Sequence, residues 1–170
     1  MTQASKIYIS APADSNLTLE QLNIKRGVVD AITNEGFQPQ EFLKSGIPQA
    51  MAWSFDGAEM VMSRCQGAAI LAFARWLATP ASDEDMAPSV YLPSEYNHFE
   101  GALAFARRLP RLVVTDKRVR TAGITRLAEG PVIFWPEGAG IPGTDQDWFR
   151  SQFGPAGSAS PRPQKFPIQA

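Results

Sequence analysis

Apolar and polar positions alternate along the chain in a way that predicts short strands separated by helices. The β-branched and aromatic run 6–11 predicts a strand, which Pro12 ends. A helix follows, because Thr18 and Gln21 have the spacing of a capping box, and it ends near Gly36. Strand, polar loop and helix together form the first half of a βαβ unit.

The next part of the pattern predicts a strand, a helix and another strand. Residues 37–42 alternate as in a short strand, although Pro39 is unfavourable inside one. Pro48 has the position of a first helical residue, so we expect a helix over 49–64. The run 67–73 is apolar or glycine throughout, which is typical of a strand buried in the middle of a parallel sheet.

The second half of the chain is less regular. Residues 77–93 contain several prolines and the acidic cluster 83–85, which indicates a functional lid or a flexible insert. Ser94 has the position of an N-cap for a helix over 95–108, and residues 112–114 predict another strand. Further elements are expected at 119–129 (a helix), 131–135 (a strand) and 145–150 (a short helix).

Strand and helix alternate about five times, which predicts an α/β domain with an open, mostly parallel sheet and helices on both faces. We expect this domain to occupy residues 1–153. The Gly-, Ser- and Pro-rich segment 154–170 is expected to be a mobile tail or a linker. Ligands of such sheets bind beyond the carboxyl ends of the strands. The loop after the first strand and the helix start at Ser94 are therefore expected to face one crevice.

Composition narrows the classes of partner. A net charge of -1 over 170 residues gives no electrostatic reason for nucleic-acid or anionic-membrane binding. Cys65 is the single cysteine, which favours a reducing compartment, and no secretory signal or membrane-spanning run is recognisable. We therefore expect a cytoplasmic protein. No histidine or cysteine pair has metal-ligand spacing, so no metal site is predicted.

One carboxylate stands out as candidate chemistry. Glu100 is the only residue of 99–106 that is neither apolar nor glycine. Burial penalises a charged carboxylate unless a partner or a ligand compensates it. Helical spacing places Asn97 on the stripe of Glu100, and it places Tyr96 and Phe99 on a neighbouring apolar stripe that we expect to face the core.

A half-buried carboxylate of this kind suits N-glycosidic cleavage, in which it stabilises or attacks a developing sugar cation. The alternative is structural, with Glu100 paired to Arg107, Arg108 or Arg111. Gly101 lowers helix stability by about 1 kcal/mol relative to alanine, which indicates that another group approaches the backbone closely there.

Most of the other candidate residues allow both a structural and a functional interpretation. Asp14 and its neighbours 15–16 either cap the first helix or bind phosphate at its N-terminus. His98, the only histidine, is a surface or hydrogen-bonded residue in one interpretation and a catalyst in the other. Cys65 is expected in the core, and Trp76 either packs or stacks on a base.

Two segments resemble known families. Residues 94–100 (SEYNHFE) resemble the catalytic-glutamate segment of Toll/interleukin-1-receptor-like (TIR) domains, and 97–104 is similar to the corresponding helix of bacterial TIR-like effectors. Residues 6–12 (KIYISAP) are similar to the first strand and loop of nucleoside 2-deoxyribosyltransferases. Both families imply a flavodoxin-like open sheet of about five strands.

The TIR-like resemblance implies hydrolysis of the nicotinamide–ribose bond of NAD or NADP, in prokaryotic antiviral defence, by a protein that assembles into homo-oligomers. NAD is then a substrate, and no cofactor is implied. Glu100 takes the position of the catalytic glutamate in this resemblance. The remaining positions carried over are substrate-binding ones: Tyr8, Ser10 and Pro12 along the crevice, and Ser94 and Asn97 at the ribose.

The sequence departs from each family at one position. Tyr96 stands where many TIR domains carry tryptophan. Ser94 stands where deoxyribosyltransferases tend to carry aspartate, which argues against deoxyribosyl transfer. Two alternatives to NAD hydrolysis stay open. One is a nucleotide-binding sensor or assembly module without turnover, and the other is a deoxyribosyltransferase-like enzyme.

Overall fold

A computed structural model describes residues 5–44, 53–79, 88–126 and 132–135. Its centre is a five-stranded sheet in which every neighbouring pair of strands is parallel. Two further strands pair antiparallel with each other in a small ribbon. The strands are β1 (Lys6–Ser10), β2 (Gln38–Glu41), β3 (Gly67–Ala72), β4 (Trp76–Ala78), β5 (Val90–Leu92), β6 (Arg111–Asp116) and β7 (Val132–Trp135).

The strand order of the large sheet is β2-β1-β3-β6-β7. The chain passes from β1 to β2 on one side and later returns to place β3 on the other side of β1. The carboxyl ends of β1 and β3 therefore form the switch point at which open α/β sheets bind ligands. This order and the parallel pairing confirm the predicted flavodoxin-like α/β fold.

Helices cover both faces of the sheet, as predicted. They are α1 (Leu19–Asn34), α2 (Phe55–Met62) and α3 (Glu95–Ala106). On one face, α1 packs Ile24, Val28 and Ile32 against alternate side chains of the central strands, including Ile7 and Ile9. The other face carries α2 and α3, which pack on the opposite set of strand side chains, including Tyr8 and Ile70. The alternation of side chains along each strand divides the core in this way.

Short-range sequence signals explain where most of these helices and strands lie. Thr18 caps α1, and Gln21 completes the predicted capping box, because each side chain hydrogen-bonds the backbone N–H of the other residue. Every residue of β3 is buried, as its apolar run predicts. Pro39 lies in β2 at the edge of the sheet, where its missing N–H is tolerated.

Three predicted elements are wrong in extent or type. The second helix begins at Phe55, where the Ser54 side chain accepts a hydrogen bond from the Gly57 N–H, and residues 53–54 are not helical. The predicted loop 77–93 contains β5 and most of β4, whose pairing places Trp76 opposite Leu92. Its acidic cluster 83–85 lies outside the described residues.

The helix expected from residue 119 is absent over 119–126. Val119 instead bridges to Tyr91, and only the 3₁₀ turn Gly123–Thr125 forms. Gly123 has φ 56°, which interrupts the right-handed α-helical backbone that was expected through this position. The predicted elements at 49–52, 127–129 and 145–150 and the tail 154–170 lie outside the described residues. Within the described ranges, the helices are all too short or too polar to cross a lipid bilayer.

Candidate active site

Glu100 lies on the face of α3 that packs against the sheet, with only 5% of its surface exposed. The other buried residues of this face are Asn97, Gly101 and Ala104. Tyr96 and Phe99 point outward and are 44% and 48% exposed. The expectation that the aromatic stripe faces the core is therefore wrong, and the polar stripe takes that place.

Small residues explain this orientation of α3. A Cβ atom added to Gly101 would lie 2.6 Å from a methyl group of Ile124, so only glycine fits there. Ala104 is fully buried in the same face. The aromatic side chains are too bulky for such a close approach of helix and neighbouring backbone. The inference that Gly101 is kept for close packing is thus supported.

Two donors from distant parts of the chain bind one oxygen of the Glu100 carboxylate. The Tyr8 hydroxyl donates to Oε1 over 2.8 Å, and the Trp53 indole N–H donates to the same atom over 2.9 Å. The Ser10 hydroxyl also lies beside the carboxylate, close enough to lower its pKa. Tyr8 and Ser10 lie on the same face of β1, so the strand supplies both as one unit.

A relay of hydrogen bonds runs from the start of α3 to Ser10, which lies beside this carboxylate. The Ser94 hydroxyl donates to Oδ1 of Asn97 over 2.8 Å, and the Asn97 amide donates to the Ser10 hydroxyl over 2.9 Å. Because Ser10 accepts this bond, its own proton is free to point at Glu100. We call this set the Glu100 network; its members are Tyr8, Ser10, Trp53, Ser94, Asn97 and Glu100.

The network surrounds a negative charge with neutral groups. Burial raises the pKa of Glu100, and the donor groups of the nearby Ser10, Trp53 and Tyr8 oppose that rise only in part. Burial, together with the adjacent carboxylate, also raises the pKa of Tyr8, which keeps its proton and acts as a donor. Among the described residues, no salt bridge joins Glu100 to an arginine, and Arg107 pairs with Glu59 instead.

Aromatic rings cover the outside of the network. Trp53 lies 4.8 Å from Tyr96 and 6.0 Å from Phe99 between ring centroids, and Phe55 meets both Trp53 and Phe99 at 6.3 Å. Phe55 is 52% exposed, so these rings form an apolar surface around the outer side of Trp53. Trp53 thus binds the carboxylate with one edge and packs in this surface with its ring.

The structure brings together five of the seven predicted site residues: Tyr8, Ser10, Ser94, Asn97 and Glu100. Tyr8 is completely buried, so it acts on Glu100 and not directly on a ligand. Pro12 is half-buried in the loop that follows β1. Asp14 lies apart from the network.

Asp14 belongs to a cluster of ion pairs on the α1 face of the sheet. Its carboxylate lies 2.6 Å from the ammonium of Lys25 and 3.6 Å from that of Lys44. Both lysines also pair with Glu41, at 2.7 and 2.8 Å. These four residues form what we call the Lys25 cluster. Thr18, and not Asp14, caps α1.

Sequence reasoning missed Trp53 as a partner of Glu100. The two residues are 47 positions apart, and no spacing rule links an indole in one segment to a carboxylate in another. Two other candidate residues, His98 and Cys65, pack against neighbouring parts of the fold. His98 is half-buried beside Gly123, and burial lowers its pKa. Cys65 lies in the core as predicted, and burial raises its pKa to about 11.

The described residues hold no group of three or more His, Cys, Asp or Glu side chains that suits a metal ion. No protein-family model matches this chain, and no curated protein gives a significant match to it.

Proposed function

We propose that the protein is a TIR-like NAD(P) glycohydrolase with Glu100 as its catalytic carboxylate. The observation that carries this proposal is the position of Glu100, which is buried among neutral donors at the carboxyl end of β1. A charge held without a counter-charge at a ligand-binding edge is costly for folding, and such groups are typical of functional sites. A cationic substrate supplies the missing charge.

The proposed reaction breaks the bond between C1′ of ribose and the ring nitrogen of nicotinamide. The bonding electron pair passes to that nitrogen, and the pyridinium becomes neutral nicotinamide. The Glu100 carboxylate stabilises the cation left at C1′ or bonds to it. Water then adds to C1′ and releases one proton, which gives ADP-ribose or its phosphorylated counterpart. The leaving group needs no proton from the enzyme.

The hydrogen bonds of the Glu100 network make the two carboxylate oxygens different from each other. Tyr8 and Trp53 both bind Oε1, which fixes the plane of the carboxylate and leaves Oε2 free of these two donors. We assign Oε2 to the reacting carbon. Ser94 and Asn97 hold Ser10 in place through the relay, and in this proposal they also shape the ribose site.

Cellular role and assembly form part of the same proposal. The TIR-like segment 94–100 supports an effector that acts in the cytoplasm, in prokaryotic antiviral defence, and that turns NAD over once it assembles with copies of itself. The aromatic surface around Trp53 supports such self-association, because exposed apolar surface is typical of protein contacts.

Deoxyribosyl transfer is the second candidate, and one contact favours it. Segment 6–12, which resembles deoxyribosyltransferases, supplies Tyr8, and Tyr8 binds Glu100 directly. The two resembling segments therefore meet at one carboxylate. Ser94 in place of aspartate argues for hydrolysis of NAD over this reaction. Base exchange on a 2′-deoxynucleoside with a free purine base is the measurement that selects transfer.

The decisive experiment incubates the purified protein with NAD and NADP and measures nicotinamide release, in dilute solution and under conditions that promote assembly. We expect Glu100→Gln to lower the rate by about a thousandfold or more, because glutamine keeps the shape but cannot carry the charge. Equal rates for the two proteins under every condition would exclude the hydrolase. Tight NAD binding without turnover by both would select a sensor or assembly module.

A further inference from the structure

Arg75 joins the two strand ends at the switch point of the sheet. It follows β3 in the chain, and its Nη1 donates to the backbone carbonyl of Asn16 over 3.3 Å. Asn16 belongs to the 3₁₀ turn after β1. The arginine therefore lies across the carboxyl ends of β1 and β3, at the edge where Ser10 reaches Glu100.

The guanidinium is held in place on the surface. It lies over the Trp76 ring, 5.3 Å from the ring centroid. The Trp76 indole N–H in turn donates to the Glu95 carboxylate over 3.3 Å, and Glu95 is the first residue of α3. Arg75 and Trp76 thus span from the turn after β1 to the helix that carries Glu100. A fixed guanidinium loses little conformational entropy when it binds an anion.

The charge of Arg75 remains available at this edge. None of the salt bridges among the described residues uses it. Asp14, the acidic residue in the same turn as Asn16, is paired with Lys25 and Lys44 and contributes little repulsion toward an incoming anion. Arginine presents several N–H donors in a planar fork that matches the oxygens of a phosphate.

We propose that Arg75 binds phosphate oxygens of the substrate, so that the site selects phosphorylated N-ribosides, such as dinucleotides, over free nucleosides. This inference rests on the proposed function for its substrate, but it makes a separate claim about binding. Trp76 orients the guanidinium, and the Glu100 network acts on the ribose of the same molecule.

A binding experiment tests the claim without turnover. ADP-ribose is titrated calorimetrically into the wild type, Arg75→Gln and Arg75→Lys at low and high salt. We expect Arg75→Gln to weaken binding roughly 10- to 100-fold at low salt, since hydrogen bonds to charged groups are the strong ones. Arg75→Lys is expected to restore part of the affinity. The wild type should lose more affinity with added salt than Arg75→Gln does.

Arg64→Gln is the matched control. Arg64 is also an exposed arginine, but it precedes β3 and lies at the opposite edge of the sheet. The Arg64→Gln variant should bind ADP-ribose with the same affinity as the wild type. Equal affinity of the wild type and Arg75→Gln for ADP-ribose, or no binding by the wild type, would overturn the proposal. Thermal unfolding of each variant checks that the exposed substitutions leave the fold intact.

Turnover separates this inference from the proposed function. With NAD, Arg75→Gln should raise KM with little change in kcat, and with nicotinamide riboside, which lacks phosphate, it should match the wild type. NAD hydrolysis that is insensitive to Arg75→Gln would refute the phosphate site and leave the hydrolase standing. If ADP-ribose binding depends on Arg75 but the protein never cleaves NAD, the phosphate site stands and the hydrolase is refuted.

Discussion

Two charged side chains are buried on opposite faces of the sheet, close to the carboxyl end of β1. Lys25 is 4% exposed on the α1 face, and Glu100 is 5% exposed on the α3 face. Lys25 lies within 2.7 Å of two carboxylates, those of Asp14 and Glu41. Glu100 is bound by a hydroxyl and an indole of neutral residues, with the Ser10 hydroxyl beside them.

The difference between these two sites separates a structural charge from the one that we propose to be functional. In the Lys25 cluster two lysines meet two carboxylates, so the charges cancel inside the protein. In the Glu100 network burial raises the pKa of the carboxyl, and no cation is present among the described partners to oppose that rise. A charge left uncompensated by the fold is available to a ligand, whereas a compensated one holds loops together.

The largest effect on stability is expected in the Lys25 cluster. Lys25→Met leaves the Glu41 carboxylate, whose side chain is 17% exposed, with only Lys44 as a partner. Removing one partner of a buried ion pair typically destabilises a protein by about 3 kcal/mol or more. Urea unfolding should show this loss. The double variant Lys25→Met/Glu41→Leu should recover part of it, and a Lys25→Met protein as stable as the wild type would contradict the structural role.

A smaller and different effect is expected from Tyr8→Phe. The Tyr8 hydroxyl lowers the pKa of Glu100, so its loss should move the acid limb of the pH–rate profile to higher pH. At neutral pH we expect kcat/KM for NAD to fall about tenfold, the value of one charge-assisted hydrogen bond. Tyr91→Phe, on the β-ribbon, is the control and should leave the profile unchanged. An acid limb that does not move in Tyr8→Phe would separate Tyr8 from the reactivity of Glu100.

The stability of Glu100→Gln relative to the wild type should depend on pH. The pKa of Glu100 is higher in the folded than in the unfolded protein, so the wild type loses stability as pH rises from the ordinary glutamate pKa through the folded one. Glutamine carries no such penalty. The Tm difference in favour of Glu100→Gln should be near zero at about pH 4 and grow to a few degrees at neutral pH. A difference that shrinks as pH rises would contradict the uncompensated charge.

The smallest effect is expected from Lys44→Gln. Lys44 belongs to the Lys25 cluster, but its side chain is 60% exposed, and Glu41 and Asp14 keep Lys25 as a partner without it. Exposed ion pairs contribute less than about 1 kcal/mol. In urea unfolding, the free energy of unfolding of Lys44→Gln should therefore be close to that of the wild type and well above that of Lys25→Met. Equal losses for the two lysines would show that burial does not distinguish them.

Local sequence signals were enough to predict much of the fold. The capping box of Thr18 and Gln21 and the cap at Ser94 act within a single turn, so a short window contains all the information they need. The apolar run of β3 likewise predicts by itself that the strand is buried. The ribbon of β4 and β5 was missed because its strands are three residues each, too short for a periodic pattern.

The site was only partly predictable for a related reason. Glu100 was identifiable because a carboxylate in an apolar helix is unusual in any fold, and the resemblance of segment 6–12 pointed to Tyr8 and Ser10. Tyr8 and Trp53 lie 92 and 47 residues from Glu100 in the chain. No spacing within one element encodes such contacts, and Trp53 was therefore missed.

The sequence by itself determined which residues share a face of α3, because helical periodicity depends only on spacing. Only the tertiary structure decided which of those faces turns inward. Gly101 and Ala104 allow the polar face to approach the sheet and Ile124, and Tyr8 and Ser10 on β1 supply the donors that a buried carboxylate requires. The aromatic face is too bulky for that contact and lies at the surface, where Tyr96 and Phe99 are 44% and 48% exposed.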